Sequence, residues 1–167
     1  MMQTRLGLTL VVIALITTTP FAAASRREAL VFITSKDQGT TNLSSSEVRD
    51  IYLGRTTRWQ DGHRITVIVR PATTLAGRTF LQQVVHMSEI DFSQNWLGVV
   101  FRGEAPSPPR VIAPADAVRK MVTGNVDAIA FVLTSELTAE DESLIRILTI
   151  DGKTRDEENY PLAVSSP

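Results

Sequence analysis

Four continuous apolar runs, separated by segments patterned as helices, limit what this chain can fold into. They are Ala29 to Thr34 (ALVFIT), Ile65 to Val69 (ITVIV), Asp127 to Leu133 (DAIAFVL) and Leu144 to Ile150 (LIRILTI). Unbroken apolar runs of this length belong to strands covered on both faces, not to half-exposed ones. A short edge strand around Arg110 to Ala113 joins them. Strands alternating with helices predict a three-layer α/β sandwich: a mostly parallel sheet of about five strands with helices on both faces.

The intervening segments carry their own punctuation. Ser44 stands three residues before Glu47, the spacing of a capping box, and Leu43 and Val48 are placed as a hydrophobic staple. Val48, Ile51 and Tyr52 then form one apolar stripe, and Gly54 suits the position just past the helix end. Thr73 or Thr74 caps a second helix whose buried face is Phe80, Leu81, Val84 and Val85. Ser88 and Asp91 open a third, with Phe92 and Trp96 one turn apart, and Pro106 to Pro109 (PSPP) breaks the chain after it. Pro114 at a first-turn position starts a fourth through Val118, Met121 and Val122, which ends near Gly124.

The start of the chain reads differently. Arg5 precedes the apolar run Leu6 to Ile16, and Ala22-Ala23-Ala24 follows, the layout of a secretory signal peptide over residues 1–24. The run is too short to span a bilayer, which takes about 20 residues. Removing residues 1–24 from the 167 leaves a single domain at 25–167, and losing Arg5 takes the formal charge from −1 to −2. A chain of this size buries enough surface to be stable without staples. That matches its lack of cysteine, which also removes zinc–thiolate sites, thiol catalysis and a lipid anchor. Near-neutral charge with no basic block argues against nucleic acid as a partner.

Chemistry concentrates at Arg70-Pro-Ala-Thr-Thr-Leu-Ala-Gly77, where a strand ends and a helix begins. In open α/β sheets ligands bind beyond the carboxyl ends of strands. A helix N-terminus presents free N–H groups and about half a positive charge, which attracts anions. Arg70 adds a planar cation matched to phosphate or carboxylate, and Thr73 and Thr74 add hydroxyls. The same residues also read as an ordinary capped helix beside a surface arginine. Other candidates are thinner. His63 and His86 lack carboxylates at metal-ligand spacing, and no G-x-S-x-G elbow accompanies the serines. Glu140-Asp141-Glu142 reads as a solvated loop or first helical turn, Trp59 and Trp96 as packing residues, and Arg55 and Arg58 as surface charges. No catalytic residue, metal or cofactor is expected.

From Ala29 onward the chain resembles the periplasmic phosphate-binding proteins of ABC transporters, within the type II periplasmic binding fold. The match rests on LSSSEVRDIYLGRTTRW (Leu43 to Trp59), ITVIVRP (Ile65 to Pro71), MSEIDFSQNW (Met87 to Trp96), VTGNVDAIAFV (Val122 to Val132) and the ending IRILTIDG…ENYPL (Ile145 to Leu162), all in family order. The resemblance implies one lobe of that fold, a periplasmic location, no enzymatic activity, and inorganic phosphate or a similar oxyanion as ligand. It places an ABC permease or another envelope protein among the partners.

Two departures accompany the match. The family's anion loop runs arginine, then glycine-serine-glycine-threonine. Here Arg70 keeps the arginine place and Thr74 the serine place, but Leu75 and Ala76 stand for the following glycine and threonine, with Gly77 as a bare position after them. Each lost charge-assisted bond costs about 1.5–3 kcal/mol, tenfold or more in affinity. The family also closes two lobes on its ligand, and the resemblance covers only the second. The expected site is therefore Arg70, Thr73 and Thr74 with the amides of Leu75, Ala76 and Gly77, binding weakly or completed by a homodimer or another protein. The alternative is a ligand-free lobe acting as an envelope sensor or interaction module.

Overall fold

A computed structural model describes residues 27–164, so the signal peptide expected at 1–24 lies outside the described residues. In chain order the elements are β1 (Leu30–Ser35), β2 (Asn42–Leu43), α1 (Ser45–Tyr52), β3 (Thr66–Val69) and α2 (Leu75–Phe80), which widens into a π-turn at Leu81–Val85. They continue as α3 (Glu89–Phe101), β4 (Arg110–Val111), α4 (Ala115–Thr123), β5 (Ala128–Leu133), a 3₁₀ turn (Thr134–Glu136), α5 (Asp141–Leu144), β6 (Ile145–Ile147) and β7 (Thr149–Ile150).

The main sheet has five strands in the order β4-β3-β5-β1-β6. β3 pairs parallel with β4 and β5, whereas β1 runs antiparallel to β5 and β6. Four strands thus point one way and β1 alone opposes them. This is the mostly parallel α/β sheet expected from the apolar runs, and every residue of β1 and β5 is buried.

Side-chain alternation sorts the two faces. Phe32 lies opposite Phe131 in the β1–β5 register, and both turn toward α1 and α2. There an aromatic cluster forms the centre of the core. Phe80 stacks on Phe131 at 4.5 Å and 11°, Tyr52 lies 4.8 Å from Phe80, and Phe92 of α3 meets Phe80 edge-on. The intervening residues, Val31 with Val132 and Ile33 with Ala130, face the other way, where α4 packs across β5, β1 and β6 through Val118 and Val122.

The caps form largely as their spacing predicts. Ser44 and Glu47 exchange both bonds of the capping box, Thr74 accepts from the Gly77 N–H, and Ser88 accepts from the Asp91 N–H. Gly54 follows α1 with φ +75°, and a Cβ there would lie 2.9 Å from Val99. Two expectations need correction. Pro114 is the residue before the first turn of α4, not within it. Leu144 to Ile150 is not one strand. Leu148 donates its N–H to the Phe32 carbonyl, and Thr149 then turns to the Thr41 carbonyl, so β6 finishes the main sheet while β7 pairs with β2. The run stays apolar because both halves are covered, which hides the change of partner.

Candidate functional site

β3 and β5 lie side by side and parallel, so the residues following them meet at one edge of the sheet. Arg70 follows β3 and Glu136 closes the 3₁₀ turn after β5. Their side chains join in a bidentate pair, with Nη1 to Oε2 at 2.9 Å and Nη2 to Oε1 at 3.1 Å. The Arg70 side chain is 4% exposed and that of Glu136 25%. Glu136 is tied further: Oε2 accepts the Leu133 N–H at 2.9 Å, and its carbonyl accepts Arg119 Nη1 at 2.6 Å. Arg119 in turn pairs with Asp141 at 2.9 Å. Two shielded arginine–carboxylate pairs therefore close the carboxyl end of the sheet, and Asp141 of the acidic run is structural. Arg70 retains one buried nitrogen, Nε, without an acceptor.

The turn into α2 follows Arg70 in the chain. Thr74 is half-buried and fully engaged: its hydroxyl donates to the Pro71 carbonyl at 2.8 Å and accepts the Gly77 N–H at 3.0 Å. Thr73 is exposed, and its hydroxyl has no partner among the described residues. Leu75 is 45% exposed and Ala76 buried, and as the first two helical residues their N–H groups find no acceptor among the described residues. Gly77 serves the fold directly. A Cβ there would stand 2.1 Å from the Pro71 carbonyl oxygen and 2.7 Å from that of Arg70, so only a bare α-carbon lets the helix start lie on the turn.

Three charged neighbours went unnoticed in the sequence. Arg78 reaches back to the carbonyls of Ala72 and Thr73 at 3.3 and 3.2 Å, adding a cation beside the turn. Glu89, in the first turn of α3, accepts the Ala72 N–H at 3.3 Å. Glu136 is the third, and a buried arginine is the one signal that demands such a carboxylate. A groove of about 300 Å³ adjoins Arg70 and Pro71, walled by Leu97, Pro109 and Val111. Of the remaining candidates Trp96 lines this groove, and Arg55, Arg58, His63 and Trp59 do not. Arg55 pairs with Asp50, Arg58 donates to the Gly62 carbonyl, and His63 lies 3.3 Å from Asp127. The indoles of Trp59 and Trp96 are buried and donate to the carbonyls of Asp127 and Tyr52.

Solved structures share this architecture. A Clostridium perfringens protein assigned as a phosphate ABC transporter substrate-binding protein, solved with bound phosphate, superposes with a TM-score of 0.63 at 20% identity. That match covers 82% of this chain and 53% of the other. An ABC-type phosphate transport receptor from Vibrio cholerae gives 0.64 at 15% identity, over 81% and 53% of the two chains. PstS from Borrelia burgdorferi gives 0.58 at 14%, over 77% and 49%. The chain has the fold of one lobe of these proteins. It spans about half the length of the solved structures it matches. No family model matches the chain, and no curated protein does.

Proposed function

We propose that this chain is an exported, non-enzymatic solute-binding lobe that holds a small oxyanion, phosphate foremost, at the turn between β3 and α2. The observation that carries the reading is the shielded Arg70 guanidinium at the carboxyl end of β3, followed within the same turn by two helix-start amides that have no acceptor among the described residues. Its donors are Arg70, the Thr73 hydroxyl and the N–H groups of Leu75 and Ala76, while Thr74 and Gly77 hold the turn in shape. The fold shared with phosphate-transport receptors supports this ligand class, and with it a periplasmic location and an ABC permease as partner.

Glu136 makes the site weak. An incoming anion must displace a tethered carboxylate from both arms of Arg70, each a charge-assisted bond of about 1.5–3 kcal/mol. Calorimetric titration with inorganic phosphate tests this directly. Wild type binds weakly, Glu136→Gln binds at least tenfold tighter because its competitor is uncharged, and Thr73→Val binds more weakly. Absence of heat from Glu136→Gln at millimolar phosphate, with far-UV circular dichroism unchanged, overturns the reading. The closed Arg70–Glu136 pair favours the second reading, a ligand-free lobe working through its surface, and that result would leave it as the reading to test by partner capture.

A further inference from the structure

We propose that the pocket between the start of β3 and the segment 106–109 is a further binding site, for a small organic anion with two acidic groups. Its volume is about 220 Å³. Pockets for drug-sized molecules begin at roughly 300 Å³, so this one takes a smaller ligand. Two arginines line it, Arg64 just before β3 and Arg110 at the start of β4, and no carboxylate does. Both are exposed, and neither guanidinium has a hydrogen bond or ion pair among the described residues. Every other described arginine has one. The acids nearest in the chain are committed elsewhere. Asp50, whose carbonyl accepts the Thr56 N–H, pairs with Arg55, and Glu104 pairs with Arg102. Asp61 accepts the His63 N–H, and Asp127 lies 3.3 Å from the His63 ring. Two cations in one pocket with no acid in its wall repel each other, and an anion relieves that repulsion.

The rest of the wall sets the class of anion. Thr56, Thr57 and Ser107 contribute hydroxyls that have no partner among the described residues. The Thr66 hydroxyl accepts from Asn125 Nδ2 at 3.2 Å and keeps its proton to donate. Val67, Trp96 and Ala105, all buried, add apolar wall, which favours a carbon skeleton over a bare inorganic ion. Arg110 lies opposite Ile68 in the β3–β4 register, and Arg64 stands four residues before Ile68, about 13 Å along an extended strand. Each planar guanidinium matches one carboxylate or phosphate group through two parallel bonds. Two of them, carried at separate points of one pocket, match a ligand with two acidic groups. Pro106, Pro108 and Pro109 fix φ along the same wall, so little freedom is lost when the ligand enters. No residue of the turn after Arg70 lines this pocket, and the proposal is independent of whether an anion is held there.

Calorimetric titration of the protein with glutarate, a five-carbon dicarboxylate, tests the site. Glutarate binds in the millimolar range or tighter. Arg64→Gln and Arg110→Gln each weaken it at least fivefold, with the far-UV circular dichroism unchanged. Lys120→Gln, the same change of charge on α4, leaves the affinity as it is. Butyrate, which has one acidic group, binds at least fivefold more weakly than glutarate. Absence of heat at roughly 10 mM glutarate overturns the proposal. Binding indifferent to both arginines overturns it too, because the ligand then sits elsewhere. Butyrate held as tightly as glutarate refutes the second acidic group, and inorganic phosphate that displaces glutarate at equal concentration refutes the carbon skeleton.

Discussion

Gly77→Ala tests how the turn at the candidate site is built. In an ordinary helix interior the change stabilises by about 1 kcal/mol. Here the new Cβ would fall 2.1 Å from the Pro71 oxygen, 2.6 Å from the Pro71 carbonyl carbon and 2.7 Å from the Arg70 oxygen. All three are backbone atoms, so no rotamer change relieves the clash, and the helix start must move off the turn. Overpacking costs about 1–3 kcal/mol where side chains can yield, and backbone contacts lie at or above the top of that range. The shift also pulls the Gly77 N–H from Thr74, the loss of an N-cap worth about 1 kcal/mol. The net expectation is a loss of about 2–4 kcal/mol, or roughly 6–12 °C in Tm for a domain of this size. Urea denaturation followed by tryptophan fluorescence measures it. Gly124→Ala is the control, because φ is −85° there and the nearest atom to a Cβ is 3.4 Å away. If Gly77→Ala falls within about 0.5 kcal/mol of wild type, the close approach is not a constraint and the account of the turn is wrong.

Three further outcomes follow from the same contacts. Arg70→Met strands a mostly shielded carboxylate and costs about 2–4 kcal/mol in urea, less than a fully buried pair because Glu136 is a quarter exposed; Arg70→Met with Glu136→Gln recovers most of it. Ser44→Ala removes the acceptor for the Glu47 N–H and costs about 1 kcal/mol, read as a shifted urea midpoint at unchanged slope. The Ser45 hydroxyl and N–H hold the Asp151 carboxyl below its usual value. Its contribution is present above the unfolded-state value of about 3.9 and disappears as pH falls through the lower folded value. Stability measured from pH 5 downward therefore falls less steeply in Asp151→Asn than in wild type.

Features written in local pattern were legible in the sequence. Continuous apolar runs named the core strands, and Ser44 with Glu47, and Ser88 with Asp91, named two helix starts, because each is decided within a few residues. Features decided by distant chain were not. ALVFIT has the same composition whichever way it runs, so the reversed direction of β1 comes only from packing between β5 and β6. The break at Leu148 is invisible for a similar reason. Leu148 is buried against β1 and Ile150 against β2, so neither half loses apolar character where the partner changes. At the site, the sequence placed Arg70 at the end of a strand but not the carboxylate 66 residues away that engages it. TSE after β5 carries no motif, and only the parallel β3–β5 pairing brings Glu136 to Arg70.

That pairing decides what an anion at this edge must do. Glu136 is attached to the same fold, so its effective concentration at Arg70 is of millimolar order or higher, and charge alone gives a free anion no advantage. A ligand gains only from donors that Glu136 does not use. These are the Leu75 and Ala76 N–H groups and the Thr73 hydroxyl, since the Thr74 hydroxyl and the Gly77 N–H are spent on each other. In the proposed site a tetrahedral oxyanion would draw on Arg70 and the helix start together, whereas Glu136 is anchored on the β5 side through the Leu133 N–H. In the proposed site, selectivity therefore depends on the Leu75 and Ala76 N–H groups, which any non-proline residue supplies. The exposed Leu75 side chain limits how closely a ligand approaches, so Leu75→Gly strengthens phosphate binding while Leu75→Ile does not.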